Sequence, residues 1–138
     1  MYLLDTNVIS ELRKAKSGKA NEGVVAWANS VSASNLFLSV ITILELEIGI
    51  LQIERRDPTQ GAILRSWING HVLPAFTDRT LMVDTTIVQC FTKFHVPDPC
   101  SDRDALIAAT ALVHGLTVVT RNVSDFAPTQ VSLLNPWC

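Results

Sequence analysis

Short strand-like segments alternate with longer helical segments along most of this chain. The strand-like runs are apolar or rich in β-branched residues, and they cover residues 2–4, 36–40, 80–83, 117–120 and 131–134. Helical spacing of apolar residues begins at residue 6 and recurs over residues 22–32, 42–55, 59–76, 84–94 and 103–114. Strands that alternate with helices form βαβ units, whose strands lie parallel in one sheet. The sequence therefore predicts an α/β fold built on a mostly parallel sheet.

The length and composition favour one domain that needs no covalent staple. With 138 residues and no repeat or linker, the chain is expected to fold as a single domain over residues 1–138. A hydrophobic fraction of 48% is enough to fill a core without disulfides. The odd number of cysteines (Cys90, Cys100 and Cys138) therefore indicates reduced thiols in a cytoplasmic protein.

The distribution of charge excludes two classes of protein. The most apolar stretch, residues 36–53, contains Glu45 and Glu47, which favours a core strand and helix over a membrane span. A net charge of −2 excludes a generally basic surface for nucleic acid. One local basic cluster follows the first strand, and it consists of Arg13, Lys14, Lys16 and Lys19. This cluster is either a solvated loop or a site that holds phosphates.

Four acidic residues stand where the carboxyl ends of the predicted strands meet. Asp5 ends the first strand, Glu45 lies early in the helix after the second, Asp104 opens a helix, and Asp125 follows the strand at residues 117–120. Ligands of open α/β sheets bind at this edge. Carboxylates gathered there repel one another unless a cation or protons neutralise them, and oxygen ligands suit Mg²⁺ or Mn²⁺. The pattern predicts metal-assisted chemistry on a phosphate ester.

Helical geometry separates Glu45 from its neighbour Glu47. An apolar face of the helix is formed by Ile41, Leu44, Ile48 and Leu51. Glu45 lies beside this face, whereas Glu47 lies about 200° further round the helix. Glu45 is therefore the candidate site residue, although a carboxylate near a helix N-terminus also has a favourable interaction with the helix dipole.

The other acidic motifs each allow two interpretations. An aspartate in the position of Asp5 often caps the following helix, but Thr6 is also a good cap and would leave Asp5 available. Asn7 is placed to hydrogen-bond a carboxylate or a bound water. Asp102 is a candidate cap or outer-shell group, and Asp104 is the favoured ligand of the two.

The segment Thr120–Phe126 has the composition of an ordinary turn and is expected to leave the fourth strand as a loop. The sequence contains no serine-hydrolase elbow, P-loop or glycine-rich dinucleotide motif. No side-chain nucleophile is therefore indicated.

The four acidic motifs, in this order, resemble the PIN-domain family. They are Leu3-Leu4-Asp5-Thr6-Asn7, Thr42 to Leu46, Asp104 to Ala111, and Thr120 to Phe126, and together they span nearly the whole chain. The sequence looks most like the toxins of bacterial VapBC-type toxin–antitoxin pairs, including the FitB-like branch. This resemblance implies a three-layer α/β/α sandwich whose central, mostly parallel sheet has about five strands.

The resemblance also implies an activity and the residues that carry it. It implies a metal-dependent endoribonuclease that uses Mg²⁺ or Mn²⁺ and leaves 5′-phosphate and 3′-hydroxyl ends on RNA. The metal-binding aspartates of the family correspond to Asp5 and Asp104, its glutamate to Glu45 and its fourth acid to Asp125. Asn122 occupies a position where some relatives carry an acid, so either Asn122 or Asp125 completes the site.

The implied partners are an RNA substrate, a cognate antitoxin protein and a second copy of the chain, with operator DNA contacted only through the antitoxin. Two other classes are open. A PIN-like scaffold without activity would share the fold, but here all four acids are present. A phospho-receiver domain also groups acids at strand ends, but it usually has an acidic pair after the first strand and a lysine late in the chain. This chain has Asp5 alone after the first strand, and Lys93 is its only lysine after Lys19.

Overall fold

Five parallel strands form one sheet in the computed structural model, which describes residues Met1–Cys138. The strands are β1 (Tyr2–Leu4), β2 (Leu36–Ser39), β3 (Thr80–Leu81), β4 (Thr117–Val119) and β5 (Leu133–Leu134). Their order across the sheet is β3-β2-β1-β4-β5, and every neighbouring pair is parallel. The predicted parallel sheet of about five strands is confirmed.

Helices cover both faces of this sheet and account for most of the remaining chain. They are α1 (Thr6–Leu12), α2 (Glu22–Ser30), α3 (Val40–Arg56), α4 (Pro58–Trp67), α5 (Leu73–Ala75), α6 (Thr85–Thr92), α7 (Asp102–His114) and α8 (Val123–Phe126). A π-helical stretch, Ile68–Val72, joins α4 to α5, so the helical run predicted over residues 59–76 is nearly continuous. No helix has both the length and the apolar character needed to cross a membrane.

The strand side chains alternate between two apolar cores. Leu4 and Val119 point to the face that also buries Val8 of α1 and Ile50 of α3. Leu3 and its neighbours belong to the opposite core, which is built with α7 and α8. The three inner strands, β2, β1 and β4, thus carry the fully buried residues of the sheet, as expected for the middle layer of an α/β/α sandwich, whereas the edge strands β3 and β5 are partly buried.

The order of the strands places a crevice beside β1. The chain proceeds from β1 to β2 on one side, while β4 pairs with β1 on the other. Ligands of open α/β sheets bind at such a reversal of strand order, outside the carboxyl ends of the strands. Asp5, which follows β1 directly, lies at this point.

Helix α7 lies close to the sheet because its inward side chains are small. Its buried residues are Ala105, Ile107, Ala108, Ala109, Thr110 and Ala111. The helix ends at Gly115, whose left-handed conformation (φ 68°) forms its C-terminal cap. The close packing fixes the first turn of α7, and with it Asp104, at the same edge as Asp5.

Helix α3 buries a different face from the one that the apolar spacing suggested. The buried residues are Thr42, Leu46 and Ile50, whereas Leu44 and Leu51 of the predicted apolar face are 44% and 59% exposed. Helix α3 is apolar around more than half of its circumference, so periodicity alone did not identify the side that packs on the sheet. The outward apolar stripe has no cover within the chain.

The contact between α3 and α4 depends on a glycine. A Cβ atom at Gly61 would lie 2.6 Å from the backbone Cα of Glu54, whereas one at Gly49 would meet nothing within 4 Å. We expect Gly61→Ala to destabilise the protein by about 1–3 kcal/mol through overpacking. The matched control Gly49→Ala should stabilise it by about 0.5–1 kcal/mol, because alanine favours the helix. Urea unfolding midpoints measure both, and a stabilised Gly61→Ala variant would contradict the close approach.

Candidate active site

The four predicted acids line one pocket at the carboxyl ends of β1 and β4. The pocket has a volume of about 470 Å³, and its acids include Asp5, Glu45, Asp104 and Asp125. The other residues that line it are Thr6, Asn7, Ser10, Glu11, Lys14, Arg121, Asn122 and Trp137. The structure thus brings together the side chains that the sequence selected, and their catalytic role remains a prediction.

Asp5 is the most buried acid of the pocket and is held by three hydrogen bonds. Its side chain is 5% exposed. The backbone N–H of Thr6 donates to Oδ1 at 2.8 Å, and the Thr120 hydroxyl donates to Oδ2 at 2.8 Å. The Asn7 amide also donates to Oδ2, at 3.3 Å, as predicted. Asp5 is therefore itself the cap of α1, and the expectation that Thr6 would cap the helix instead was wrong.

The Thr6 side chain connects α1 to α3 rather than capping its own helix. Its hydroxyl donates to Oε1 of Glu45 at 2.8 Å. The second oxygen, Oε2, lies 4.0 Å from the guanidinium of Arg103. Thr6 therefore orients Glu45 in the pocket.

Glu47 lies outside the pocket, as the helical spacing predicted. Its carboxylate forms an ion pair with Arg65 of α4, which also pairs with Glu54 at 3.1 Å. Glu45 and Glu47 thus have different environments on the same helix, because Glu45 lines the pocket with the other acids and Glu47 pairs with Arg65 outside it.

Thr120 is an organising residue whose contacts the sequence did not predict. Besides donating to Asp5, its hydroxyl accepts from the backbone N–H of Asn122 at 3.0 Å and from the Asn7 amide at 3.4 Å. Asn7 in turn accepts from the backbone N–H of Arg121 at 3.3 Å. The position of Thr120 at the end of a strand beside β1 was the available signal, but the pairing of distant strands was needed to use it.

The segment after β4 is partly helical, so the prediction of a loop over Thr120–Phe126 was wrong. Helix α8 is anchored by Phe126, which is fully buried. Asn122 immediately precedes the helix and Asp125 lies in its first turn, and both line the pocket. That either Asn122 or Asp125 completes the site remains a prediction.

Asp104, and not Asp102, faces the pocket. The Asp102 side chain is 78% exposed, and its Oδ1 lies 3.0 Å from Nε2 of His95. Asp104 lies in the same first turn of α7, but its side chain lines the pocket with the other acids and is half-buried. The favoured assignment of Asp104 agrees with this geometry.

Burial and neighbouring charges raise the pKa values of two acids of the pocket, Asp104 and Asp5. Burial raises the pKa of Asp104 to about 6, and the neighbouring charges of Asp5, Asp125 and Glu45 contribute in the same direction. Burial also raises the pKa of Asp5, although the hydrogen bonds from Thr120 and Thr6 oppose this effect. The pocket therefore favours protons or a cation over four ionised carboxylates.

The atoms that this pocket offers to a metal ion are oxygens, the donors that suit Mg²⁺ or Mn²⁺. No three His, Cys, Asp or Glu side chains are grouped closely enough to hold a metal ion by themselves. Mg²⁺ usually retains several waters and binds one or two carboxylates directly. Asp5 and Asp104 could serve as those direct ligands, with Glu45 and Asp125 reaching the ion through water.

Only one member of the predicted basic cluster reaches the acids. Lys14 lines the pocket and pairs with Glu11 at 3.1 Å. Arg13 lies over the ring of Trp67 at 5.9 Å, and with Lys16 it lines a separate cavity. Arg121, which the sequence did not select, is the second cation of the pocket.

We predict that the metal-free protein loses stability as pH rises through about 6. Because Asp104 has a raised pKa in the folded state, its protonated form contributes stability that is complete below about pH 4 and lost through pH 6. In chelator, Asp104→Asn should raise the melting temperature by a few degrees at pH 7.5 and by less at pH 4.5.

The control for this experiment is Asp78→Asn, because that side chain is exposed and lies outside the pocket. An Asp104→Asn gain that is equal at both pH values would contradict the electrostatic origin.

This chain matches one protein family and several known proteins over nearly its whole length. The PIN domain matches residues 2–127. The chain is 36% identical to VapC ribonuclease Y4jK of Sinorhizobium fredii, covering 99% of this chain and 98% of that protein, and 35% identical to Toxin FitB of Neisseria gonorrhoeae, covering 99% of each.

Solved structures agree with the sequence relatives. The crystal structure of FitAcB from Neisseria gonorrhoeae contains a chain with a TM-score of 0.88 and 34% identity, over 99% of both chains. The structure of FitAB bound to the IR36 DNA fragment gives a TM-score of 0.88 and 32% identity, over 100% of this chain and 96% of the other. The family match and the relatives that cover the whole chain show that this chain belongs to the PIN-domain family.

Proposed function

We propose that this chain is the toxin of a type II toxin–antitoxin pair and a metal-dependent endoribonuclease that hydrolyses RNA phosphodiester bonds. The observation that carries the proposal is the single pocket in which four carboxylates meet, and in which burial and the neighbouring acids raise the pKa of Asp104 to about 6. The ribonuclease and toxin names of relatives that cover the whole chain support it. Residues 1–138 would act as one PIN-like domain.

The residues of the pocket divide into ligands and orienting groups. Asp5 and Asp104 would hold Mg²⁺ or Mn²⁺, and Glu45 and Asp125 would orient water. A bound divalent ion supplies a water of lowered pKa and stabilises charge on the phosphate. Thr120 and Thr6 hold Asp5 and Glu45 in place through 2.8 Å hydrogen bonds, so that little reorganisation is needed during the reaction.

Water is the nucleophile that fits this pocket. No cysteine or histidine lines it, and the hydroxyls of Thr6 and Thr120 are already donated to carboxylates. Ser10 also lines the pocket, but no base is hydrogen-bonded to its hydroxyl to activate it. The oxygen of water would add to phosphorus, and the 3′ oxygen would leave with a proton. The products would then carry 5′-phosphate and 3′-hydroxyl ends.

We expect Asp5→Asn, Asp104→Asn and Glu45→Gln each to reduce RNA cleavage by at least about a hundredfold, as for loss of one preorganised charged group. Glu47→Gln is the matched control, because it makes the same chemical change on the same helix outside the pocket. It should change turnover by less than about threefold and cost up to ~1 kcal/mol of stability through the lost ion pair.

The assay is cleavage of total RNA with sequencing of the new ends, with added Mg²⁺ and with excess chelator. Full cleavage by Asp5→Asn in chelator would exclude the metal-dependent mechanism. Absence of cleavage by the folded wild-type chain with either ion would favour the alternative, a non-catalytic PIN-like scaffold.

An antitoxin and a second copy of the chain are the partners that we propose. The FitAB structure, which is bound to DNA, supports an antitoxin that mediates contact with operator DNA. We expect the antitoxin to dock on the helices up to about Arg55 and to reach the pocket, where an antitoxin arginine would replace the cation. The exposed Leu44 and Leu51 of α3 support a homodimer, because such apolar stripes are usually covered.

We predict that the antitoxin competes with Mg²⁺ for the wild-type toxin. Titration with the neighbour-encoded protein should show an apparent Kd that rises with Mg²⁺ concentration. In Asp104→Asn this dependence should be lost, because the ion no longer binds. Light scattering of the free toxin at micromolar concentration should give the mass of two chains.

Tight antitoxin binding that leaves cleavage unchanged at every Mg²⁺ concentration would contradict blockade of the pocket. A monomeric mass would contradict the dimer and leave the enzymatic proposal unaffected.

A further inference from the structure

An arginine and a tryptophan form a cation–π pair on the wall of the carboxylate pocket. The guanidinium carbon of Arg121 lies 5.7 Å from the ring centroid of Trp137, and both residues line the pocket. The other cation of the wall, Lys14, is committed to Glu11, whereas Arg121 is exposed and makes no salt bridge. Arg121 is thus a free cation beside the acids.

The position of Trp137 is determined by contacts with α2. The Asn21 amide donates to the carbonyl of Cys138 at 3.1 Å, and the backbone N–H of Cys138 donates to the Asn21 side chain at 3.2 Å. The carbonyl of Pro136 lies so close to Gly23 that a Cβ atom there would be 2.4 Å away. Because residues on both sides are held, Trp137 stays at the rim of the pocket.

The indole of Trp137 contacts the apolar core on one side and Arg121 on the other. Trp137 packs against the core that contains Leu4 and Val8, and this packing holds its ring in place. Arg121 is anchored only through its backbone N–H, which donates to Asn7. Its side chain can therefore move from the ring to a phosphate when another flat group takes its place.

The charge of the pocket explains why an aromatic surface is useful there. Two cations line it, Lys14 and Arg121, against five acids, which are Asp5, Glu11, Glu45, Asp104 and Asp125. This excess of negative charge repels the phosphates of RNA. Stacking on an indole attracts a nucleobase without regard to that charge, and arginine adds a phosphate contact.

We propose that Trp137 and Arg121 form a subsite for an unpaired nucleobase of single-stranded RNA next to the cleaved phosphodiester, with Trp137 as the stacking surface and Arg121 as the phosphate contact. The proposal rests on the proposed ribonuclease function and adds the form of the substrate. A base inside a duplex has no free face, so the subsite selects unpaired RNA.

The test measures binding separately from cleavage. In an Asp104→Asn background, in which cleavage is expected to be strongly reduced, binding of a short single-stranded oligoadenylate is followed by fluorescence anisotropy. Trp137→Leu should raise Kd about tenfold, on the scale of base–aromatic stacking, whereas Trp137→Phe should raise it less than about threefold. An oligomer with abasic residues should bind both variants equally. With Asp104 intact, Trp137→Leu should raise KM for cleavage and change kcat less than about twofold.

The chain contains its own control, because Arg13 and Trp67 form a second cation–π pair that lines a different cavity. Trp67→Leu and Arg13→Met should leave oligoadenylate binding unchanged. If Trp137→Leu folds poorly, Arg121→Met tests the same subsite through an exposed side chain and should raise Kd severalfold.

Three results would overturn the subsite. The first is that the wild-type, Trp137→Leu and Trp137→Phe chains bind the oligoadenylate with equal affinity. The second is that the Trp67 and Trp137 substitutions reduce this affinity equally. The third is that Trp137→Leu loses antitoxin binding while its RNA affinity is unchanged. The last result would assign the pair to the protein partner. Failure of the wild-type chain to cleave any RNA would instead contradict the proposed function, and the binding measurements in the Asp104→Asn background would still decide the subsite.

Discussion

The buried carboxylate of Asp5 is the interaction on which the rest of this site depends. It stands at the end of the central strand, caps α1 through Thr6, and accepts the hydroxyl of Thr120 from the end of the neighbouring strand. One side chain thereby joins the sheet, the first helix and the segment that leads to α8. Thr6, one residue later, extends the same arrangement to Glu45 on α3.

This arrangement has an electrostatic cost that the fold tolerates. Asp104 approaches Asp5 because α7 packs its alanines against the sheet, and burial together with neighbouring charges raises the pKa values of both acids. Natural proteins retain such unfavourable groups mainly where function requires them. A divalent cation would relieve the repulsion, which connects the stability of the fold to the chemistry that we propose. The proposed base subsite has the same origin, because an acidic pocket needs an uncharged attraction for RNA.

Particular residues show how far the sequence alone could be interpreted. The alternation of strands and helices predicted the α/β sheet, and the strand-end positions selected the four acids that the structure places in one pocket. Local signals were ambiguous for Asp5 and Thr6, since both are good caps, and the competition was decided by the distant partner Glu45. The buried face of α3 was also misjudged, because that helix carries more apolar residues than the sheet can cover.

The sequence by itself determined the class of fold, the helical separation of Glu45 from Glu47, and the set of acids, because periodicity and residue chemistry are local properties. Only the tertiary structure decided that Thr120 supports Asp5, that Arg121 rather than most of the basic cluster lines the pocket, and that Trp137 stands at its rim. Those contacts join residues more than 100 positions apart, as in the hydrogen bond from Thr120 to Asp5 (115 positions). Strand pairing creates such contacts, and no pattern of neighbouring residues contains them.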